Sequence, residues 1–180
     1  SSAASDVYKR QEYEFVKNYG FNVYTALDSK SSKSCSGLKT IKKTYITAEK
    51  QVLTETFADF RGNAVTEKTN GETKRTSAYY ANGQLARQTD ALRNTTKYEY
   101  GYLNKLTTTY TPFSGKEKYS ITENEYDKNG NIVLTRQTVQ KQDSSDKKYS
   151  ITQNKYNAMG LLEQVTLSGT DSKDKNISKY

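Results

Sequence analysis

The chain has 180 residues, 28 Lys and Arg against 20 Asp and Glu for a net charge of +8, and only 33% hydrophobic residues. With no His and a single Cys, it excludes a Ser-His-Asp or Cys-His arrangement within itself, lacks the commonest metal ligand and the several thiols of a zinc cluster, and leaves Cys35 no intrachain disulfide partner. Its 16 Tyr argue for order despite the polarity, because Tyr and Thr suit a pleated, half-buried surface and a Tyr ring is buried while its hydroxyl stays wet.

The first stretch, SSAASDVYKRQ from Ser1 to Gln11, has neither the basic start nor the apolar run of a signal peptide. Its in-frame back-translation resembles a transposase adapter used to build sequencing libraries. Residues 1–11 are therefore expected to be non-native and outside the fold, and the chain to be a fragment of an environmental gene cut at both ends. Phe15–Val23, FVKNYGFNV, and Phe57–Val65, FADFRGNAV, each place an aromatic five residues before a glycine and a Val three after it. Residues 12–56 are expected to be degenerate β-hairpin repeats turning at Gly20, with Gly37 as an extra turn. No segment has a convincing helical period, Ala48–Asp59 coming nearest to one.

Residues 57–180 carry the clearer repeats, again β-hairpins. Thr69-Asn70-Gly71-Glu72 reads as a hairpin loop, since Asn-Gly accepts the left-handed backbone of a two-residue turn. Tyr79-Tyr80-Ala81-Asn82-Gly83-Gln84-Leu85 gives a tyrosine, three residues, a glycine and an apolar strand start. Tyr100-Gly101-Tyr102-Leu103-Asn104-Lys105-Leu106 repeats it with Asn104 at the glycine position, which fits, because Asn best tolerates the left-handed region among non-glycine residues. Lys105–Thr111 is strand-like, and Pro112–Gly115 is a loop on the opposite edge. Lys118–Gly130, KYSITENEYDKNG, and Lys148–Gly160, KYSITQNKYNAMG, share eight of thirteen residues at an offset of 30. Strands Ile132–Val139 and Leu161–Leu167 follow them, with a polar loop at Asp143–Asp146 between. Asp171–Lys175 repeats that loop, and Ile177–Tyr180 begins another strand.

The repeat positions are thus Tyr79, Tyr100, Tyr126 and Tyr156 with turn residues Gly83, Asn104, Gly130 and Gly160. Successive turns after Gly62 are 21, 21, 26 and 30 residues apart, as a fixed turn joined to strands of variable length gives. An all-β fold follows: a repetitive antiparallel hairpin array forming a long twisted or spiralling sheet. Equivalent tyrosines are expected to fall in register and stack ring on ring.

The motif Tyr126-Asp127-Lys128-Asn129-Gly130-Asn131-Ile132 resembles the YD repeat of Rhs-type proteins, the class also found in teneurins and toxin-complex shells. The resemblance covers most of 57–167 and more faintly 13–37. The MORN-like pattern YYxNGxL is a second match at Tyr79–Leu85, and it too would be a hairpin array. The YD resemblance implies a structural, non-catalytic segment of a large exported bacterial surface or shell protein, secreted or at the cell surface. Its implied partners are neighbouring repeats of the same chain and an encapsulated C-terminal segment.

The residues argue on their own against other roles. Bases alternate with acids, as in Lys116-Glu117-Lys118, so the positive charge reads as solubility and edge protection rather than nucleic-acid binding. No run reaches the length of a membrane span. Glu123 with Glu125, or Asp143 with Asp146, could serve glycoside chemistry, but the next copy has Gln153 and Lys155 where the first has Glu123 and Glu125, as a duplicated surface strand would. No enzyme, cofactor or metal site is expected. Asn94-Thr95-Thr96 and Asn176-Ile177-Ser178 match a glycosylation acceptor that carries no weight in a bacterial chain. The alternative reading is a carbohydrate-binding or adhesive surface, with Tyr rows beside Asn, Gln and Thr meeting a surface glycan.

Overall fold

The computed structural model describes residues 9–26, 29–46, 50–112, 118–141, 148–169 and 176–180. The loops expected at 113–115, 143–146 and 171–175, and residues 1–8, lie outside them. Two compact units divide the chain, residues 1–95 and 96–180.

The first unit holds β1 (Lys9–Ala26), β2 (Ser29–Tyr45), β3 (Gln51–Ala58), β4 (Ala64–Thr69), β5 (Glu72–Tyr80) and β6 (Leu85–Asp90). Each strand pairs antiparallel with the next in chain order. The second unit holds β7 (Thr95–Tyr100) from its second residue on, β8 (Leu106–Pro112), β9 (Lys118–Tyr126), β10 (Ile132–Lys141), β11 (Lys148–Tyr156), β12 (Leu162–Gly169) and β13 (Asn176–Lys179), paired in the same fashion. Short local connections make such a meander the simplest antiparallel topology. The chain is all-β, a repetitive hairpin array; the sole helical element among the described residues is a 3-10 turn at Tyr102–Asn104.

Ala48–Asp59, which has no convincing helical period, contains β3 at Gln51–Ala58, where Val52, Thr54, Thr56 and Phe57 supply the β-branched and aromatic residues that favour a strand. Two expectations are corrected here. Gly20 and Gly37 are not turns: Gly20 pairs with Ser34 and Gly37 with Val16 inside the β1–β2 ladder. Lys9, Arg10 and Gln11 are not outside the fold, for they pair with Thr44, Lys43 and Lys42. Ladder bonds use the main chain, so a strand can extend through residues of any origin.

The β1–β2 hairpin is longer than its neighbours, and its far half does more than continue the meander. Val23 and Tyr24 pair in parallel with Tyr79 and Tyr80 of β5, while β4 holds β5 only from Glu72 to Thr76. Gly37 lies where this hairpin passes the end of β3. It is buried, and a Cβ built on it would run into the carbonyl oxygen of Ala58.

The interior is thin. Among the described residues only Val65 and Ala86 are buried hydrophobics, with Thr66, Ser77 and Thr138 as buried hydroxyls, and no large side chain is fully enclosed. Cross-strand pairs therefore carry much of the cohesion. Lys39 Nζ lies 2.8 Å from Glu55 and 3.4 Å from Glu14, and 5.4 Å from the Phe57 ring, whose centroid is also 6.0 Å from Lys68 Nζ. The Glu55 carboxylate, aided by Glu14, holds the Lys39 ammonium above its ordinary pKa. Arg75 Nη2 to Glu67 (2.7 Å) and Arg136 Nη1 to Glu123 (3.3 Å) bridge directly paired residues. Mixed charge is thus built into the sheet faces strand by strand.

Candidate functional site: a repeated tyrosine and turn

The repeated feature of this chain is a five-residue turn. It occurs at Asp59–Asn63, Tyr80–Gln84, Gly101–Lys105, Asp127–Asn131 and Asn157–Leu161. In each, the N–H of the first residue donates to the carbonyl of the fifth at 2.8–2.9 Å, and the N–H of the fourth donates to the carbonyl of the first at 2.9–3.2 Å. The fourth residue is left-handed, with φ of +84° at Gly62, +89° at Gly83, +59° at Asn104, +84° at Gly130 and +77° at Gly160. A register shift sits beside every one of these turns. This is a hairpin loop closed by a left-handed residue that makes a bulge.

Side chains finish what the main chain begins. Asp127 Oδ1 accepts the N–H groups of Asn129 and Asn131, both at 2.9 Å, and Oδ2 accepts the Asn131 carboxamide at 3.0 Å. Asp59 does the same with Arg61 and Asn63. Asn157 serves Met159 and Leu161 through Oδ1. In these three turns the first residue is therefore an acceptor that satisfies donors the tight loop would otherwise leave to water.

A sixth copy escapes a reading led by glycine. Asp90–Asn94 has the same bonds, Asp90 accepting from Leu92, Asn94 and the Asn94 carboxamide, and Arg93 takes the left-handed position at φ +66°. Spacing alone passes over it because Arg stands where glycine is expected. The spacing of Asp and Asn four apart, shared by 59–63, 90–94 and 127–131, is the signal that finds it.

Tyrosines immediately before these turns reach backwards. Tyr126 donates its hydroxyl to the carbonyl of Leu106 at 2.7 Å, Tyr156 to that of Ile132 at 3.1 Å, and Tyr79 to that of Ala64 at 2.8 Å. Each acceptor is the residue directly after the turn of an earlier hairpin. Where the register argument expects ring to meet ring, the link formed is from hydroxyl to main chain. Tyr79, Tyr100, Tyr126 and Tyr156 are all half-buried, and burial pushes the Tyr79 and Tyr100 phenols up, which keeps a donor proton in place.

The turns also touch through cations. Lys105, from the turn at 101–105, lies 5.7 Å above the Tyr126 ring, and its Nζ would be 2.9 Å from a Cβ on Gly130, close enough that the flexible lysine end would have to shift. Arg61 donates to the carbonyl of Ala81 in the following turn at 2.7 Å. At Gly130, then, the positive φ decides: Gly130→Val should loosen the β9–β10 hairpin and Gly130→Asn should do so less, read by amide exchange at Asp127 and Asn131. Equal tolerance of both would contradict the assignment.

The acidic turns should respond to pH. The Asn131 N–H, followed by its carboxamide and the Asn129 and Gly130 N–H groups, holds the Asp127 carboxyl below the ordinary aspartate range; at Asp90 the Asn94 carboxamide leads, then the Asn94 and Leu92 N–H groups. A carboxyl with a depressed folded pKa contributes stability that is fully present above its unfolded value, about 3.9, and lost as pH falls through the lower folded value. Amide protection at Asn131 and Asn94 should fall below about pH 4, while Leu161, whose turn rests on neutral Asn157, should keep its protection. Parallel loss at all three would remove the carboxylates from the explanation.

Among the described residues no cluster of His, Cys, Asp and Glu could hold a metal, and no helix is long and apolar enough to cross a membrane. Of the acid pair Glu123 and Glu125, Glu123 is engaged by Arg136 at 3.3 Å.

Comparison with known proteins adds a family. Residues 79–116 match the RHS Repeat family. No curated protein matches the chain. Similar solved structures are those titled "Crystal Structure of TcdB2-TccC3-Cdc42" (TM-score 0.49, 12% identity) and "Crystal Structure of TcdB2-TccC3 without hypervariable C-terminal region" (0.48, 12%), each covering 82% of this chain and 10% of the other. The chain thus spans about a tenth of those proteins' length. The matched segment is the one that holds Tyr79 with its turn at Gly83 and Tyr100 with its turn at Asn104, and there the chain is similar to an RHS repeat.

Proposed function

We propose that this chain is a non-catalytic structural segment of a large exported bacterial protein of the Rhs kind, in which successive hairpins build a surface or shell wall. The observation that carries the reading is the backward bond of the repeat tyrosines: Tyr79, Tyr126 and Tyr156 each tie their own hairpin to the main chain of an earlier one. A ring fixed in this way serves the sheet rather than a ligand. Neighbouring repeats of the same parent chain are the first partners, and a segment enclosed by the wall is the second. The RHS match at 79–116 supports this placement, and the location, secreted or at the cell surface, rests on the same likeness.

A glycan-binding surface is the competing role, favoured by the exposed aromatic rings of Tyr13, Phe15 and Phe60. The test is one variant read twice, Tyr126→Ala, by equilibrium unfolding and by retention on a glycan array. Lowered stability with no change in glycan retention is expected. Unchanged stability with lost retention would replace the scaffold reading by the binding one.

A further inference from the structure

The chain contains three Asn-Gly steps, Asn70-Gly71, Asn82-Gly83 and Asn129-Gly130, and all three stand at turns with a left-handed glycine. An asparagine followed by glycine is the pair most open to loss of its side-chain nitrogen, because no side chain on the next residue hinders the ring closure. The geometry points to Asn129 as a site of spontaneous deamidation and isoaspartate formation, the first of the three to react.

The three carboxamides are held differently. Asn70 Oδ1 accepts the Leu53 N–H at 2.8 Å, and the Asn70 N–H donates to the Leu53 carbonyl at 2.8 Å, so its side chain is tied to the end of β3. Asn82 is tied at both ends: Nδ2 donates to Gln84 Oε1 at 2.7 Å and Oδ1 accepts the Gln84 N–H at 3.1 Å. Asn129 is exposed, and among the described residues its carboxamide makes no hydrogen bond; only its main-chain N–H is engaged, to Asp127 Oδ1. Its Cγ is therefore free to turn toward the following nitrogen.

In the reaction the Gly130 nitrogen gives its proton to a solvent base and forms a bond to Asn129 Cγ, and the carboxamide nitrogen leaves as ammonia. The five-membered imide then takes up one water. Opening at the side-chain carbonyl leaves an ordinary aspartate at this position, and opening at the main-chain carbonyl leaves isoaspartate, with one extra methylene in the main chain. The Gly130 N–H donates to the Asp127 carbonyl at 3.0 Å, so attack waits for the turn to open, and Asp127, which holds the turn closed, sets the rate. The isoaspartate product cannot restore that turn, because the span from Asp127 to Asn131 is pinned at both ends.

The experiment incubates the whole chain at mildly alkaline pH and follows ammonia loss and isoaspartate by peptide mapping at the three sites, alongside Asp127→Ala and Gln84→Ala. Product at Asn129 should accumulate several-fold faster than at Asn70 or Asn82. Asp127→Ala should speed Asn129 several-fold and leave Asn70 unchanged, and Gln84→Ala, which removes the partner of Asn82 Nδ2 while the main-chain N–H of residue 84 still holds Oδ1, should raise the Asn82 rate but leave it below that of Asn129. Equal rates at the three sites, an Asn70 or Asn82 product that leads, or an Asn129 rate indifferent to Asp127 would overturn the proposal.

Discussion

Replacing Gly37 by Val should be among the most damaging single changes in the first unit, costing about 3 kcal/mol, the upper range of overpacking. Gly37 is buried in β2, and the atom a Cβ would strike is the Ala58 main-chain carbonyl oxygen, with the Ala58 carbonyl carbon at 3.2 Å and Asp59 Cα at 3.5 Å behind it. No rotamer relieves a clash with main chain, so β2 must move away from β3. Leu38 pairs with Ala58 next to the clash, and the far half of the β1–β2 hairpin depends on that crossing to reach Tyr79 and Tyr80. Equilibrium unfolding should show the loss, and amide exchange should quicken at Val23, Tyr24 and Tyr79. Gly37→Ala should show a smaller loss of the same pattern. A valine variant of unchanged stability would mean that the hairpin does not pass β3 there.

Truncating Tyr126 to Ala should cost about 2–3 kcal/mol, combining a half-buried ring with a hydrogen bond worth about 1 kcal/mol and the seat of the Lys105 ammonium, about 0.5–1 kcal/mol at an exposed site. Tyr126→Phe isolates the hydroxyl and should cost about 1 kcal/mol. Tyr156→Phe should cost less than Tyr126→Phe, because the Ile132 carbonyl that loses the Tyr156 hydroxyl still accepts from Asn154 Nδ2 at 3.0 Å. Urea unfolding of the three variants gives the order. A Tyr156→Phe loss larger than that of Tyr126→Phe would show that the hydroxyl bonds are not the links between hairpins.

Much of this architecture is legible in the residues, and the failures have physical reasons. Periodic glycines announce the left-handed turn residues because little else is tolerated there, and Asn70-Gly71 marks its two-residue turn for the same reason: φ is +50° and +82°. The turn at Asp90–Asn94 is hidden because four side-chain and main-chain bonds to Asp90 hold Arg93 left-handed without glycine's help. Gly20 and Gly37 mislead in the opposite sense. A glycine can mark close approach as well as a turn, and at Gly37 the requirement is space beside Ala58, a non-local fact that sequence spacing does not carry. The repeat tyrosines are visible as a period. Their partner is not, since a hydroxyl reaching a main-chain carbonyl leaves no mark on the partner's residue type: Ala64, Leu106 and Ile132 have only their place after a turn in common.

The most direct test of the backward link is site-resolved amide exchange in Tyr126→Phe, which keeps the ring and removes only the hydroxyl. If each repeat tyrosine ties its hairpin to an earlier one, exchange should quicken in β8 around Leu106 as well as in β10 beyond the turn, with β12 unaffected. Exchange that quickens only at residues 126–132, leaving β8 at its original rate, would contradict the link and with it the scaffold role of the repeat.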